Sequence, residues 1–461
     1  MNEETKKLQE ERSALYRDFY HYKLPKRLPV GLNLPNHVLA EYAGLGRIDF
    51  QFDYARLADA ARELCARLYA DRSPVSPASM IFARTPLFYQ ILESQSFVMG
   101  AGGFVQHPEV VGMTAEDYDY LVEDAYACLL ERVVPRQYKA LDPKDPIRCA
   151  NAIQMAKAAS QGDMMASLPF VQELGEKYGY YPGAPMGSSG FSEAPYDFIG
   201  DQLRSFSGVS MDIRRNRKKL ADACEAVLPL MFHWGLPAKP DLEGSVMTPL
   251  HMPTFMREKD FVEVWLPTYL TMTRQWASLG VRTNAFCEDD WMRYLDVLSE
   301  LPAGMQLMFE YGDPKAIKEK LGKKFLISGL YPIGLLKTGT KQQVLDKAKE
   351  LLDTMMPGGG YMFGFDKNPL VLGDINLNNY CALAEFVRDY AVYDNPGEPF
   401  GTPLNSEGFV RDETLIGPVK SKYLFNWEEF KKKYPLTPDF VQQRMEKIDK
   451  DTLSFYMNLL V

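Results

Sequence analysis

The sequence predicts an α/β protein built as a (β/α)8 TIM barrel, with a helical extension before it and a second extension after it. Three observations carry this. From residue 245 onward, short apolar runs alternate strictly with amphipathic stretches, and strand-helix-strand succession requires parallel pairing through right-handed crossovers. No GxGxxG or Walker-type loop follows any of these runs, so the phosphate turn of an open dinucleotide-binding sheet is missing. Polar residues recur directly after the successive strands, at positions that share one rim of a barrel.

The elements follow in chain order. The polar opening MNEETKKLQEERSALYRDF reads as a helix inside an N-terminal extension, 1–27. The barrel spans 28–390 and opens on a strand, LPVGLNL at 28–34. Helices are expected over 54–71, 114–133, 146–161 and 215–232, and GVSMDI at 208–213 reads as a strand ending at Asp212. Segments 82–113 and 180–204 are rich in Gly, Pro, Met and aromatics without clean periodicity, as pocket-forming insertions or plain core segments are.

The regular half then begins. Strands are expected at 245–250, 281–286, 305–309, 324–329 and 361–365, with helices over 257–279, 290–300, 313–321 and 340–355. Asp313-Pro314 sets Pro at a first helical position, and Thr340 stands as a cap. Gly358-Gly359-Gly360 precedes its strand, so it reads as a helix stop rather than a phosphate cradle. A C-terminal extension, 391–461, ends in a helix from about residue 437.

Composition narrows the function. With 52 Lys and Arg against 61 Asp and Glu, the formal charge is −9, which excludes a basic nucleic-acid surface. A hydrophobic share of 46% and a charged share of 25% exclude whole-chain disorder. No run approaches the about 18 apolar residues that cross a bilayer, and the six cysteines show no CxxC and no pairing rhythm. A cytoplasmic protein in a reducing compartment, with neither membrane nor nucleic acid as partner, is expected.

The candidate chemistry sits at strand ends. His251 stands between an apolar strand and Met252-Pro253, where a neutral imidazole binds a metal or moves a proton. Cys287, Glu288, Asp289 and Asp290 follow the next strand, and at least one of the two aspartates serves as a helix cap. Cys287 and Glu288 are adjacent, so both face inward only if the strand has already ended. Glu310 follows the third strand, and a carboxylate in an enclosed mouth requires a metal, an arginine or a substrate as partner. Asp366, after the fifth strand, and His107, in a loop without periodicity, are candidate substrate contacts. Arg214 follows the strand expected to end at Asp212 and is the candidate for an anionic substrate group, the alternative being a solvated helix start.

Several of these passages carry a family resemblance. His251-Met252-Pro253, Phe286 to Trp291, Phe309 to Pro314, Ile327-Ser328-Gly329 and Pro357 to Gly360 resemble the uroporphyrinogen decarboxylase superfamily, in its branch with cobalamin-dependent methyltransferases of the O-demethylase type. Pro29-Val30, Leu39 to Gly44, Phe104 to Glu109 and Met211 to Arg215 extend the resemblance over about residues 28–385. It implies a (β/α)8 barrel. Uroporphyrinogen decarboxylases proper carry an arginine-rich segment that holds the substrate carboxylates, whereas Pro29 to Asn36 has no arginine. The coenzyme M methyltransferases use a zinc-thiolate site with a His-x-Cys element and a late cysteine. Here Pro253 and Gly358 to Gly360 stand in those places.

The function expected from this resemblance is a methyltransferase. It would move a methyl group from a small methylated substrate, a methyl ether or quaternary amine, to the cobalt of a corrinoid carried by a separate protein, since the chain has no DxHxxG motif. His251, Glu288 or Glu310 would protonate the leaving atom, directly or through a zinc ion held by His251, Cys287 and Glu310. A homodimer is compatible with this reading. The alternatives are a cofactor-free decarboxylase or lyase that holds a carboxylate with Arg214 or Arg84, and a non-catalytic barrel that binds a corrinoid or tetrapyrrole.

Overall fold

The computed structural model describes residues 1–76, 85–404 and 416–461. Among the described residues its larger sheet has six strands: β1 (Gly190–Phe191), β2 (Val246–Leu250), β3 (Thr283–Asp290), β4 (Gln306–Tyr311), β5 (Leu326–Tyr331) and β6 (Tyr361–Phe365). They lie in the order β1-β2-β3-β4-β5-β6 and every neighbouring pair is parallel. The order never reverses, so the sheet has no switch point of the kind that marks a doubly wound fold.

Nine helices frame the description: α1 (Glu3–Tyr20), α2 (Pro146–Tyr178), α3 (Phe206–Arg215), α4 (Arg217–Gly235), α5 (Leu266–Ser278), α6 (Pro314–Leu321), α7 (Lys341–Met355), α8 (Leu377–Tyr390) and α9 (Gln442–Leu460). α5, α6 and α7 are the crossovers between β2 and β3, β4 and β5, and β5 and β6. The expected capping holds: Thr340 and Gln343 form a capping box on α7, and the Asp313 side chain accepts from the Lys315 amide at the start of α6. Among the described residues no helix is long and apolar enough to cross a membrane.

Alternation along the strands separates two faces. Val246, Thr248 and Leu250 of β2 and Thr283, Ala285 and Cys287 of β3 are buried, and Thr248 Oγ1 lies 2.8 Å from the Tyr269 hydroxyl of α5. That face carries the helices. Met247 and Pro249 of β2, Asn284, Phe286 and Glu288 of β3, and Met308 and Glu310 of β4 are half-buried on the opposite face.

The N-terminal ends of the strands are sealed. Phe19 and Tyr22, at the end of α1, pack with Phe400 against Leu326, and Met362 joins them. The Tyr22 hydroxyl donates to the Gly304 carbonyl at 3.0 Å. Gly359 N bonds the Met356 carbonyl at 2.8 Å, as the helix-stop reading requires. Its φ is +75°, and a Cβ there would stand 2.6 Å from the Phe400 ring, so the turn after α7 takes glycine and leaves room for the seal. Asp71, fully buried, holds Arg27 through both oxygens at 2.6 and 2.8 Å and lies 3.3 Å from Arg12 of α1.

Three expectations need correction. Residues 208–213 belong to helix α3, not to a strand. Ser205 Oγ accepts the Gly208 amide, and Gly208, Val209, Asp212 and Ile213 are buried together, a helical spacing that a six-residue apolar run conceals. Residues 28–34 form no regular strand, although Leu28, Val30, Leu32 and Leu34 are buried. Pro29 has no amide hydrogen for a ladder. The helix expected over 290–300 is a short turn, Leu295–Leu298, because β3 runs on to Asp290.

Candidate functional site

Register brings three predicted residues into one row. Leu250 lies opposite Cys287, and Cys287 opposite Phe309. The next residues, His251 just after β2, Glu288 in β3 and Glu310 in β4, therefore stand side by side near the C-terminal ends of these strands. Glu288 Oε2 stands 2.6 Å from His251 Nδ1, with the two side chains 39% and 40% exposed, so the pair is held yet open to a ligand.

The loop beyond His251 is pinned from several sides. The Met252 amide donates to Asp197 Oδ1 at 2.7 Å, and the Trp265 indole N–H donates to Asp197 Oδ2 at 2.8 Å. Arg293 donates to the Thr254 carbonyl at 2.6 Å and the Tyr294 hydroxyl to that of Met256 at 2.9 Å. The imidazole thus rests on a braced platform.

Three acids that the sequence reading overlooked stand behind it. Asp197 and Asp201 stand four residues apart in a largely buried helical stretch, and Glu193 lies four residues before Asp197 in the buried segment that leads into it. Burial raises the pKa of Glu193 to about 8, with repulsion from Asp201 next in importance. The same two causes raise the pKa of Asp197, and burial raises that of Asp201. Glu193 Oε1 accepts from Gln202 at 2.9 Å, while its Oε2 is buried without a hydrogen-bond partner among the described residues. The signal was legible for Asp197 and Asp201 as carboxylates one helical turn apart among apolar neighbours, but the aromatic and Gly-Pro content of 180–204 masked it.

These charges decide the state of His251. Burial pulls its pKa down, but the Glu288 hydrogen bond and the Asp201, Glu288 and Asp197 charges outweigh that and raise it to about 9. At neutral pH the ring is an imidazolium. His107 is its counterpart: burial lowers its pKa, and the His251 charge lowers it further. Its ring stacks on Phe97 at 4.4 Å and 19°. Glu109 Oε1 accepts the Ser207 amide at 2.8 Å and ties this loop to the start of α3.

Glu310 is occupied differently. Lys367 Nζ lies 2.7 Å from Oε1, and the Asp289 amide donates to Oε2 at 2.9 Å. Burial alone would raise its pKa; Lys367 and the Asp289 amide together lower it. Asp289 has φ +63° beside the register shift between Cys287 and Asp290, and this bulge turns its amide onto Glu310.

The other predicted residues fall outside the row. Asp366 is buried, and its Oδ1 accepts the amides of Ile333 at 3.0 Å and Lys367 at 2.8 Å, so it shapes the two loops rather than offering a free carboxylate. Arg214 is on the exposed face of the last turn of α3, because the strand that would have aimed it at the mouth is a helix. Arg84 lies outside the described residues. Cys287 is fully buried on the helix-covered face near Tyr269, opposite to Glu288, and burial pushes its thiol pKa up. The expected set of His251, Cys287 and Glu310 is therefore not assembled and does not fit a zinc ion. Among the described residues no group of three or more His, Cys, Asp or Glu stands together as a metal site. No protein-family model matches the chain, and no curated protein matches it.

Proposed function

We propose that the chain is a methyltransferase that takes the methyl group of a small methyl ether, the acceptor being the cobalt of a corrinoid on a separate protein. The observation that carries the reading is the His251–Glu288 pair, 2.6 Å apart at an open strand end. When present, the corrinoid supplies the nucleophilic metal to which the methyl carbon passes. The chain's own residues hold the ether and deliver a proton. As the carbon–oxygen bond breaks, its electron pair goes to oxygen, and an imidazolium beside that oxygen converts it to a hydroxyl. A quaternary amine leaves as a neutral amine and needs no proton in this step, so a charged His251 favours the ether of the two donor classes. Glu288 stabilises the imidazolium, and the braced loop keeps it in place.

The fold belongs to the same reading, as a closed eight-stranded barrel. Supporting closure, the Asp71 amide bonds the Val30 carbonyl at 2.8 Å, the Leu34 amide the Pro74 carbonyl at 2.9 Å, and the Tyr181 amide the Asp71 carbonyl at 2.7 Å. These extended segments supply the staves that the regular strands lack.

A carboxy-lyase is the second reading, because the same imidazolium would protonate a carbanion. Incubating the chain with a reduced corrinoid protein and candidate donors, while following cobalt absorption, separates the two. Methyl ethers are expected to change the spectrum and yield the corresponding hydroxyl compound. No change with any donor, with carbon dioxide released from an acid, would establish the lyase; tight tetrapyrrole binding without turnover would mark a non-catalytic barrel.

A further inference from the structure

From Gly417 to Thr452 no residue is buried, although the stretch is folded and carries Phe425, Trp427, Phe430, Leu436 and Phe440. The helix Trp427–Lys433 has seven residues and buries none of them, whereas an isolated helix shorter than about 12 residues is marginal in water. Its aromatics pack on one another instead, Trp427 on Phe430 at 5.8 Å and Phe430 beside Tyr434 at 5.0 Å. The turn that follows is braced. Lys431 donates to the Thr437 carbonyl at 2.6 Å and lies 2.9 Å from Asp439 Oδ1, and Pro435 and Pro438 restrict the backbone between them. This rigid turn holds Leu436 96% and Phe440 83% exposed, as an apolar knob.

The same chain carries a groove that matches it. Along α1, a groove of about 540 Å³ is lined by Leu8, Leu15 and Val392, with Glu10, Glu11 and Asp18 also on its walls. Arg12 and Arg27 reach it too, but Asp71 holds both, which leaves Lys26 against the three carboxylates. None of the three is in an ion pair among the described residues. Lys432 and Lys433, beside the knob, are likewise without an ion pair there, and Lys433 Nζ lies 5.5 Å from the centre of the Tyr434 ring. A basic knob and an acidic groove, each with an apolar centre, are complementary.

We propose that the knob of one copy seats in the α1 groove of a second copy, with Phe440 and Leu436 on its apolar floor and Lys432 and Lys433 against its carboxylates. Under a two-fold axis the contact forms twice, so both knobs and both grooves are covered and the pair closes. The knob is fixed before contact, which limits the ordering that association requires. A lipid surface would cover the knob and leave the groove open; a second copy covers both. Assembly of this kind is independent of methyl transfer, so either reading can fail alone.

Sedimentation equilibrium of the full chain tests the pairing, and a dimer is expected in the micromolar range. Phe440→Asp, at an exposed position, should weaken self-association about 100-fold, as loss of a central apolar anchor does. Glu10→Lys with Glu11→Lys in one protein, and Lys432→Glu with Lys433→Glu in another, should each weaken it about tenfold. Mixing these two should restore a dimer of near wild-type affinity, because every contact again joins opposite charges. The charge variants keep the test decisive if Phe440→Asp fails to fold. A monomeric wild type, a mass that rises beyond the dimer, a dimer indifferent to these changes, or a mixture that does not recover overturns the pairing. A monomer that binds vesicles of anionic lipid through Phe440 would assign the knob to a membrane surface instead.

Discussion

Glu288 Oε2 lies 2.6 Å from His251 Nδ1, and the two residues stand near the C-terminal ends of neighbouring parallel strands. Glu288 is held by β3 and His251 by the braced loop that follows β2, so the pair joins sheet and loop. It places a protonated ring where a ligand can reach it.

The pair sets the pH dependence. The pKa of His251 is raised from 6.5 to about 9, so the acid form is lost as pH rises through that value. Turnover should fall on the alkaline side near about pH 9, and Glu288→Gln should move that limb to lower pH, since a neutral amide no longer favours the cation. His251→Gln should lower kcat by about 100-fold to 10,000-fold. Profiles of kcat against pH for the three proteins check this, and an unmoved limb in Glu288→Gln would remove the pair from proton transfer.

Glu193 should make the fold sensitive to alkali. Its pKa rises from 4.5 to about 8 in the folded chain, so between those values the folded protein holds a proton that the unfolded one has released. Its contribution is fully present below the unfolded pKa and is lost as pH rises through the folded one. Glu193→Gln keeps the acceptor for Gln202 and cannot ionise. Melting temperatures of the variant should gain on the wild type from pH 5 to pH 9, and parallel curves would show that Glu193 is not a buried acid.

Asp71 joins the N-terminal helix to the segments around Arg27 and Val30. Asp71→Ala leaves Arg27 and Arg12 without their shared carboxylate and the Val30 amide without its acceptor. A loss of about 3–5 kcal/mol in denaturant unfolding is expected, as for other buried pairs that lose one partner.

Cys287 tests the orientation of β3. Against the helix layer it acts as a small apolar group. Cys287→Ala should cost about 1 kcal/mol and leave kcat within twofold of the wild type, measured by unfolding and by methyl transfer. A collapse of activity in a folded Cys287→Ala protein would place the thiol in the site after all.

What the sequence determined by itself is local. Strand and helix periods lie within a few residues of each other, so β2 to β6 were readable from apolar runs, and the residue following a run announces a strand end. His251, Glu288 and Glu310 were found that way, and alternation already set Cys287 against Glu288. The failures were local too: GVSMDI holds too few turns to tell period 2 from 3.6, and Pro29 and Pro35 break the ladder that LPVGLNL suggested. Tertiary structure decided the partners. Lys367 reaches Glu310 across 57 residues, Asp197 braces Met252 across 55, and Glu193, Asp197 and Asp201 matter only because the fold buries them behind His251. Charge state depends on distance and desolvation, which fall off within a few ångströms in space and have no period along the chain. A sequence can therefore name the residues at strand ends, while the protonation of His251 exists only once the strands have brought its carboxylates together.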